Sequence, residues 1–173
     1  AAQGIQHHKI LDIDSKNPVT VLKLLFSIHQ IIKQKGITIV HTHHRMAAFY
    51  IRLLKFVYPK LTHVYTAHNV FKDKLPLYRF ALKNAKSVAV GEAVNNNLKE
   101  DVGITDSKVI YNGVILKKTD NQVDDIVDYG GTKLGCIARL SEQKGLTYLI
   151  EAMSLLTVKN IRLFIVGDGE LRN

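Results

Sequence analysis

The residues with the clearest chemical potential are two cations that flank a short loop. Arg139 follows an apolar run that ends at Ala138, and Lys144 comes five residues later, just before Gly145 and the apolar segment 146–156. If a strand ends at Arg139 and a helix begins after Lys144, both cations lie beside free helix N-terminal amides. Such a loop binds a diphosphate and stabilises it as a leaving group. A solvated basic loop is the alternative that the spacing leaves open.

Histidines form the second group of candidates. His41, His43 and His44 stand close together, and His68 follows the strand-like run 62–67. Alternation along a strand would put His41 and His43 on one face, but no nearby Cys or Asp completes a metal site, so we predict no bound metal. After a strand, His68 is either a hydrogen-bonded polar residue or an acid–base group, and the pattern leaves both open.

Alternating strand-like and helix-like runs must position these residues. Asn17-Pro18 opens the first helix and Gly36 closes it. The periodicity predicts strands at 8–13, 37–42, 62–67, 87–90, 108–111, 133–138 and 161–166, and helices at 19–35, 45–58, 75–84, 92–101 and 146–156. This alternation predicts a Rossmann-like α/β fold with a doubly wound parallel sheet. Ligands of such sheets bind beyond the carboxyl ends of the strands, where the polar residues stand.

The alternation is interrupted at 117–132, which contains four aspartates and closes with Gly130-Gly131. We predict a linker there, between a first domain at 1–116 and the beginning of a second at 133–173. Residues 1–116 carry 16 Lys and Arg against 7 Asp and Glu, whereas residues 117–173 carry 8 of each kind. The excess positive charge of the first domain fits either an anionic partner or a simple need for solubility.

The segment 138–145, Ala-Arg-Leu-Ser-Glu-Gln-Lys-Gly, resembles the Gly-Arg-Leu-x-x-x-Lys-Gly signature of family 4 glycosyltransferases, with Ala138 in place of the first glycine. Four further segments follow the order and spacing of that family: Ile-Val-His-Thr-His at 39–43, Tyr-Thr-Ala-His at 65–68, Val-Ile-Tyr-Asn-Gly-Val at 109–114 and Val-Gly-Asp-Gly-Glu at 166–170. The resemblance covers residues 8–171. It implies the GT-B fold, in which two Rossmann-like domains face a cleft.

The resemblance also implies roles for individual residues. Arg139 and Lys144 would hold the donor diphosphate, and His68 would face the transferred sugar near the acceptor as the catalytic residue. The residues that would line the donor pocket or the cleft are Asn112, Gly113, Gly167, Asp168, Gly169 and Glu170.

The activity implied by the resemblance is transfer of a hexosyl group from a nucleotide-diphosphate sugar to a glycan or lipid-linked acceptor, with retention of configuration. Relatives need no metal, so no cofactor is expected. The implied setting is bacterial capsular or exopolysaccharide synthesis in the cytoplasm, at the inner face of the membrane. A nucleotide-sugar 2-epimerase of the same fold and a non-enzymatic basic binding module remain alternatives. Lysines spread over several elements, without an aromatic-rich motif, argue against nucleic acid as a partner.

Two features of the family have no counterpart in the sequence: a glycine-rich loop near the start of the first domain, and two glutamates eight positions apart that contact the donor sugar. We therefore expect the chain to be a fragment, made of the later part of the acceptor-side domain and the opening of the donor-side domain. Alone, it should turn over no nucleotide sugar.

Contact with an anionic membrane is a further possibility. No apolar run is long enough to span a bilayer. If the helix after His44 continues to Lys60, four cations form a stripe on it, opposite Tyr50, Leu54 and Val57: Arg45, Arg52, Lys55 and Lys60. Such a stripe either rests on anionic lipid headgroups or is the solvated outer side of a core-packed helix.

Overall fold

The computed structural model describes residues 6–115 and 129–172. The chain divides into two compact units, Ala1–Val114 and Ile115–Asn173. Of the predicted linker at 117–132, only 129–132 falls within the described residues, and Thr132 already begins a strand. Within the described ranges, no helix combines the length and the apolar character needed to cross a bilayer.

The first unit is built around a parallel four-stranded sheet with the order β1-β2-β3-β4. Its strands are β1 (Ile39–Thr42), β2 (Thr62–Ala67), β3 (Lys86–Ala89) and β4 (Ser107–Val109). The helices are α1 (Pro18–Lys35), α2 (Arg45–Leu54), α3 (Leu75–Leu82) and α4 (Glu92–Asn96), and α4 continues as a π-helical turn, Asn97–Val102. The prediction of a Rossmann-like parallel α/β fold is confirmed. The described strands lie side by side in the same order as they follow one another along the chain.

Both predicted ends of α1 are confirmed. The Asn17 side chain accepts hydrogen bonds from the backbone N–H groups of Val19 at 2.9 Å and Thr20 at 3.4 Å, and Pro18 occupies the first turn. Gly36 ends the helix with a φ of 59°, a left-handed conformation that glycine adopts without a steric penalty. These local signals fix the helix that leads the chain into β1.

The main core of the first unit lies between one face of the sheet and the helices α2, α3 and α4. Because side chains alternate along a strand, Tyr65 and Ala67 of β2 and Ala89 of β3 point to this face, where they are buried. They pack against Ala48, Tyr78, Ala81, Leu82, Val94, Leu98 and Val102. A second cluster joins α1 to α2 through Ile32, Ile51 and Leu54. This packing holds the carboxyl ends of β1 and β2 side by side.

Two local predictions are wrong. No strand forms at 8–13, where the described chain has no regular hydrogen-bonding pattern and is mostly exposed. A strand needs a partner strand, and β1 pairs only with β2 among the described residues. The helix predicted at 45–58 ends at Leu54, where the chain tightens into a turn: the Phe56 N–H donates to the Leu53 carbonyl at 3.1 Å and the Val57 N–H to the Leu54 carbonyl at 3.0 Å. Val57 therefore lies off the helix and is 63% exposed.

The second unit is a single β-α-β arrangement in its described part. β5 (Thr132–Ile137) and β6 (Ile161–Val166) pair in parallel, and α5 (Leu146–Ser154) connects them after a 3-10 turn, Glu142–Lys144. The predicted strand 161–166 is confirmed at both ends, and the predicted strand 133–138 is shifted by one residue. In this unit the loops after β5 and β6 leave the same edge of the sheet.

Candidate functional site

Three imidazoles line up at the carboxyl ends of β1 and β2, and we call His41, His43 and His68 the histidine row. Nδ1 of His43 lies 2.9 Å from Nε2 of His68, and the His41 and His43 ring centroids are 4.3 Å apart. His41 is fixed in turn by Thr66, whose Oγ1 lies 2.8 Å from its Nε2. The parallel register sets this arrangement, because Thr42 is opposite Tyr65 and the residues that follow both strands leave the same edge.

The surroundings of the histidine row oppose positive charge on its central ring. His43 is exposed, but slight desolvation, and then repulsion by His41 and His68, lower its pKa. A neutral imidazole keeps one nitrogen as an acceptor, so His43 can accept a hydrogen bond as well as donate one. Among the described residues, no group of three or more His, Cys, Asp or Glu side chains is arranged to hold a metal ion.

The loop that carries His68 is held from two sides. On one side the Arg45 guanidinium stacks on the Phe71 ring at 3.7 Å and donates to Oδ1 of Asp73 at 3.0 Å. That hydrogen bond lowers the pKa of the Asp73 carboxyl. Arg45 also lies 5.9 Å from the ring of Tyr78, whose hydroxyl donates to Tyr65 in the core. Arg45 therefore links the loop to α2, which carries it, and lies near Tyr78, which is hydrogen-bonded to Tyr65 of β2.

Asn97 holds the same loop from the other side. Its carboxamide accepts from the Phe71 N–H at 3.0 Å and donates to the Phe71 carbonyl at 2.8 Å and to Asp101 Oδ2 at 2.7 Å. Only 4% of Asn97 is exposed, so these hydrogen bonds are shielded from water. They stand at the start of the π-helical turn, a feature often found at functional positions.

In the second unit the loop after β5 packs directly on the loop after β6. Leu140 N–H donates to the Asp168 carbonyl at 2.9 Å, and Leu171 N–H donates to the Leu140 carbonyl at 3.1 Å. A β-carbon on Gly167 would overlap the carbonyl oxygen of Ala138, and one on Gly169 would overlap that of Leu140. Because glycine has no β-carbon, Gly167 and Gly169 allow the loop after β6 to approach the loop after β5 more closely than any other residue would.

Arg139 and Lys144 are both carried by this packed loop and are both exposed. Arg139 precedes Leu140, and Lys144 ends the 3-10 turn, where Gly145 takes a φ of 61°. In the part of the chain that the structure describes, neither side chain has an ion-pair or hydrogen-bond partner. Two unengaged cations thus stand on a loop whose backbone is fixed by its neighbour.

The other predicted site residues are less constrained. Asp168 accepts from Gly169 N–H at 2.9 Å and forms an exposed ion pair with Arg172 at 3.4 Å. Glu170 is exposed beside it. Asn112 and Gly113 follow β4 and are exposed, and β3 lies between β4 and the strand β2 that His68 follows.

The predicted basic stripe is not a continuous helical surface. Lys60 lies beyond the end of α2, and the remaining cations have partners within the protein. Arg45 binds Asp73, Arg52 lies over Phe56 and Phe80, and Lys55 donates to the Asn84 carbonyl at 3.4 Å. These contacts favour the core-packed alternative for α2.

Sequence reasoning missed Asn97, Thr66 and the stacking role of Arg45. The run Asn95-Asn96-Asn97 carried a usable signal, because asparagine is unfavourable within helices and prefers to bond backbone groups. The role of Arg45 depends on a contact with Asp73, far along the sequence, which periodicity does not reveal.

The parallel sheet, the helices on its core face and the polar groups at its carboxyl edge define the first unit as a Rossmann-like domain of the kind that forms the N-terminal half of GT-B enzymes. The family model described as Glycosyltransferase Family 4 matches residues 2–118, and the chain belongs to this family. The protein is therefore glycosyltransferase-like, with a sugar donor and an acceptor as substrates. No curated protein matches the sequence.

Proposed function

We propose that the protein transfers a hexosyl group from a nucleotide-diphosphate sugar to a glycan or lipid-linked acceptor, with retention of configuration. Arg139 and Lys144 bind the diphosphate, and Gly167, Asp168, Gly169 and Glu170 shape the nucleotide pocket. His68 contacts the transferred sugar, and Asn112 and Gly113 contribute to the substrate-binding surface.

The observation that carries this proposal is the packing of the loop after β5 on the loop after β6. Leu140 is hydrogen-bonded to both Asp168 and Leu171, so the backbone around Arg139 is fixed before any ligand arrives. Prepositioned cations lose little freedom on binding, and they act on charge as it develops in the leaving group. Membership of the glycosyltransferase family supports reading that anionic group as an activated sugar.

On the acceptor side, the support comes from the way His68 is held. Its loop is bound by Arg45 and Asn97, and its Nε2 contacts His43 at 2.9 Å. A ring fixed on one nitrogen presents the other in a defined direction, as contact with a sugar hydroxyl requires. No described side chain is an obvious nucleophile for a double displacement. We therefore propose displacement on the same face, assisted by the departing diphosphate and without a required metal or cofactor.

The proposed setting is bacterial capsular or exopolysaccharide synthesis on the cytoplasmic side of the membrane. The excess of Lys and Arg in residues 1–116 supports peripheral contact with anionic lipid. Co-sedimentation with vesicles rich in phosphatidylglycerol at low salt, lost at high salt, is the expected result. Absence of sedimentation at low salt would remove this part of the proposal.

Calorimetric titration with UDP, GDP and ADP tests the donor site. We expect one of the three to bind, and Lys144→Ala to weaken it by roughly 10-fold to 100-fold, as for a lost charge-assisted hydrogen bond of about 1.5–3 kcal/mol. Lys159→Ala is the matched control, because Lys159 is an exposed lysine of the same unit in the turn before β6. Equal weakening by both variants would show that the nucleotide is attracted by overall positive charge and does not bind at Lys144 specifically.

The nature of the product separates sugar transfer from epimerisation. Transfer gives a glycoside of the acceptor, whereas a 2-epimerase uses water and gives a free sugar. Appearance of a free sugar inverted at C2, in proportion to released nucleoside diphosphate and without any glycoside, would replace the proposed function by the epimerase.

A further inference from the structure

The loop that carries Arg139 and Lys144 contains a buried serine. Ser141 is only 7% exposed, although the cations on either side of it are exposed. Its backbone is hydrogen-bonded to both of them: the Ser141 N–H donates to the Arg139 carbonyl at 2.9 Å, and the Lys144 N–H donates to the Ser141 carbonyl at 3.0 Å. Ser141 therefore lies at the centre of the loop, and its position is fixed relative to the backbone of both cationic residues.

The side chain of Ser141 makes no hydrogen bond within the part of the chain that the structure describes. Ser141 precedes the 3-10 turn Glu142–Lys144, and a serine in this position usually accepts a hydrogen bond from a backbone N–H of the turn that follows. Here the side chain makes no such bond. The hydroxyl is therefore left for a partner outside the loop.

A buried side chain with an unpartnered hydroxyl is unusual, because buried polar groups in native proteins are nearly always hydrogen-bonded. Ser87 is the other buried serine of the described residues, and its Oγ also has no partner, but that atom is enclosed in the first unit. The Oγ of Ser141 is not enclosed in this way, and it belongs to a loop with two unengaged cations. Ser141 is therefore the buried serine that a ligand can reach.

The chemistry of the loop determines which ligand fits the hydroxyl. The two cations attract negatively charged oxygen atoms, and a serine hydroxyl can donate a hydrogen bond to such an oxygen. The helix α5 begins after Gly145, which makes no side-chain cap, so the positive end of its dipole favours negative charge at the same place. A phosphate oxygen is the partner that suits the hydroxyl, the cations and the helix end together.

We propose that Ser141 is a third diphosphate-binding residue, whose hydroxyl donates a hydrogen bond to a phosphate oxygen held by Arg139 and Lys144. That this diphosphate belongs to an activated sugar rests on the proposed function. The contact itself involves neither the base nor the sugar, so inorganic pyrophosphate is a sufficient probe of it.

Calorimetric titration of the whole chain with inorganic pyrophosphate, and with UDP, GDP and ADP, tests the contact. We expect Ser141→Ala to weaken pyrophosphate, and the nucleoside diphosphate that binds, by about 10-fold, as for one lost charge-assisted hydrogen bond. Ser154→Ala is the matched control, because Ser154 is an exposed serine of the same unit whose hydroxyl already donates to the Glu151 carbonyl at 2.6 Å. Unchanged affinity in Ser141→Ala, or the same loss in the control, would overturn the proposal.

Thermal unfolding separates a ligand contact from a structural role of the hydroxyl. Because the Ser141 hydroxyl has no partner in the ligand-free protein, its removal should leave the unfolding temperature of the ligand-free chain no lower than that of the wild type. A clearly lower unfolding temperature in Ser141→Ala would show that the hydroxyl holds the loop together, which contradicts the proposal.

Salt dependence separates a direct contact from a displacement of the cations. Ser141→Ala removes no charge, so the factor by which it weakens pyrophosphate binding should be the same at low and at high salt. The weakening caused by Lys144→Ala should shrink at high salt, because ions screen the attraction that the variant removes. A factor for Ser141→Ala that shrinks in the same way would mean that the variant acts through Arg139 and Lys144.

This proposal and the proposed function fail separately. If pyrophosphate binds and Ser141→Ala weakens it, but no nucleoside diphosphate binds, the role of Ser141 stands and the activated sugar is wrong. If a nucleoside diphosphate binds and is weakened by Lys144→Ala but not by Ser141→Ala, the donor site stands and the role of Ser141 is wrong. Binding of neither pyrophosphate nor a nucleoside diphosphate would refute both.

Discussion

At the scale of single residues, His63 of the first unit has a pKa that makes stability depend on pH below neutrality. It is 1% exposed, its Nε2 lies 2.8 Å from Thr42 Oγ1, and its Nδ1 has no partner among the described residues. Burial, and then the charges of Lys55 and His41, lower its pKa from 6.5 to about 4. The unfolded chain therefore binds a proton in this interval that the folded chain does not.

We predict that the contribution of His63 lowers the free energy of unfolding by about 1.4 kcal/mol for each pH unit below about 6.5, and that this decline ends near pH 4. Above the pKa of His63 in the unfolded chain, its side chain is neutral in both the folded and the unfolded protein, so its contribution no longer changes with pH. His63→Gln removes this contribution, so urea unfolding of both proteins from pH 7.5 to 4 isolates it. A difference between the two that is constant over this range would contradict the assigned pKa.

Sequence and structure differ most clearly at this scale. Arg139 and Lys144 could be singled out as a pair because the chain places them five residues apart around one loop. The contact between His43 and His68 could not, because it depends on the register between β1 and β2. Register follows from how the whole sheet packs on its helices, which no local pattern specifies.

At the scale of elements, helix and strand boundaries followed local chemistry. Both ends of α1 could be predicted from the sequence. The Asn17 side chain accepts hydrogen bonds from backbone N–H groups that have no partner within the helix, and Gly36 takes the left-handed conformation that ends it. The false strand at 8–13 shows the opposite case, since β-prone residues without a neighbouring strand stay irregular. The bonds between Asn97, at the start of the π-helical turn, and Phe71 were also not predictable, because the two residues lie 26 positions apart in the sequence.

We predict that Asn97→Ala loosens the loop that carries His68. The variant leaves the Phe71 N–H and carbonyl without partners, which costs about 1–3 kcal/mol of stability. Amide hydrogen exchange at Phe71 should accelerate. Asn96→Ala is the matched control, because Asn96 is exposed and changes little on truncation, within about 0.5 kcal/mol. Equal effects of both variants would show that Asn97 has no special role.

We also predict that Gly167→Ala damages the second unit. The new methyl group would overlap the Ala138 carbonyl, and such overpacking costs about 1–3 kcal/mol. Because Ala138 precedes Arg139, diphosphate affinity should fall as well. Gly135→Ala is the control, since a β-carbon there meets open space. Thermal unfolding and calorimetric titration of both variants check this, and unchanged binding by Gly167→Ala would mean that the loop packing does not shape the site.

At the scale of the whole molecule, the chain separates charge as well as structure. Its net charge of +9 belongs to residues 1–116, as Lys and Arg equal Asp and Glu in residues 117–173. The match to Glycosyltransferase Family 4 also lies in the first part, at residues 2–118. The proposed donor site lies in the second unit. Because positive and negative charges balance in residues 117–173, an exposed pair of cations there is a stronger indication of an anion site than a pair in the basic first unit would be.

The central claim is that Arg139 and Lys144 bind the diphosphate of an activated sugar. Amide chemical shifts of the ¹⁵N-labelled chain, followed during titration with the nucleoside diphosphate that binds, test it residue by residue. We expect shifts concentrated at 138–145 and 167–171, and their loss in Arg139→Ala. Shifts confined to residues 6–115, or unchanged in that variant, would contradict it.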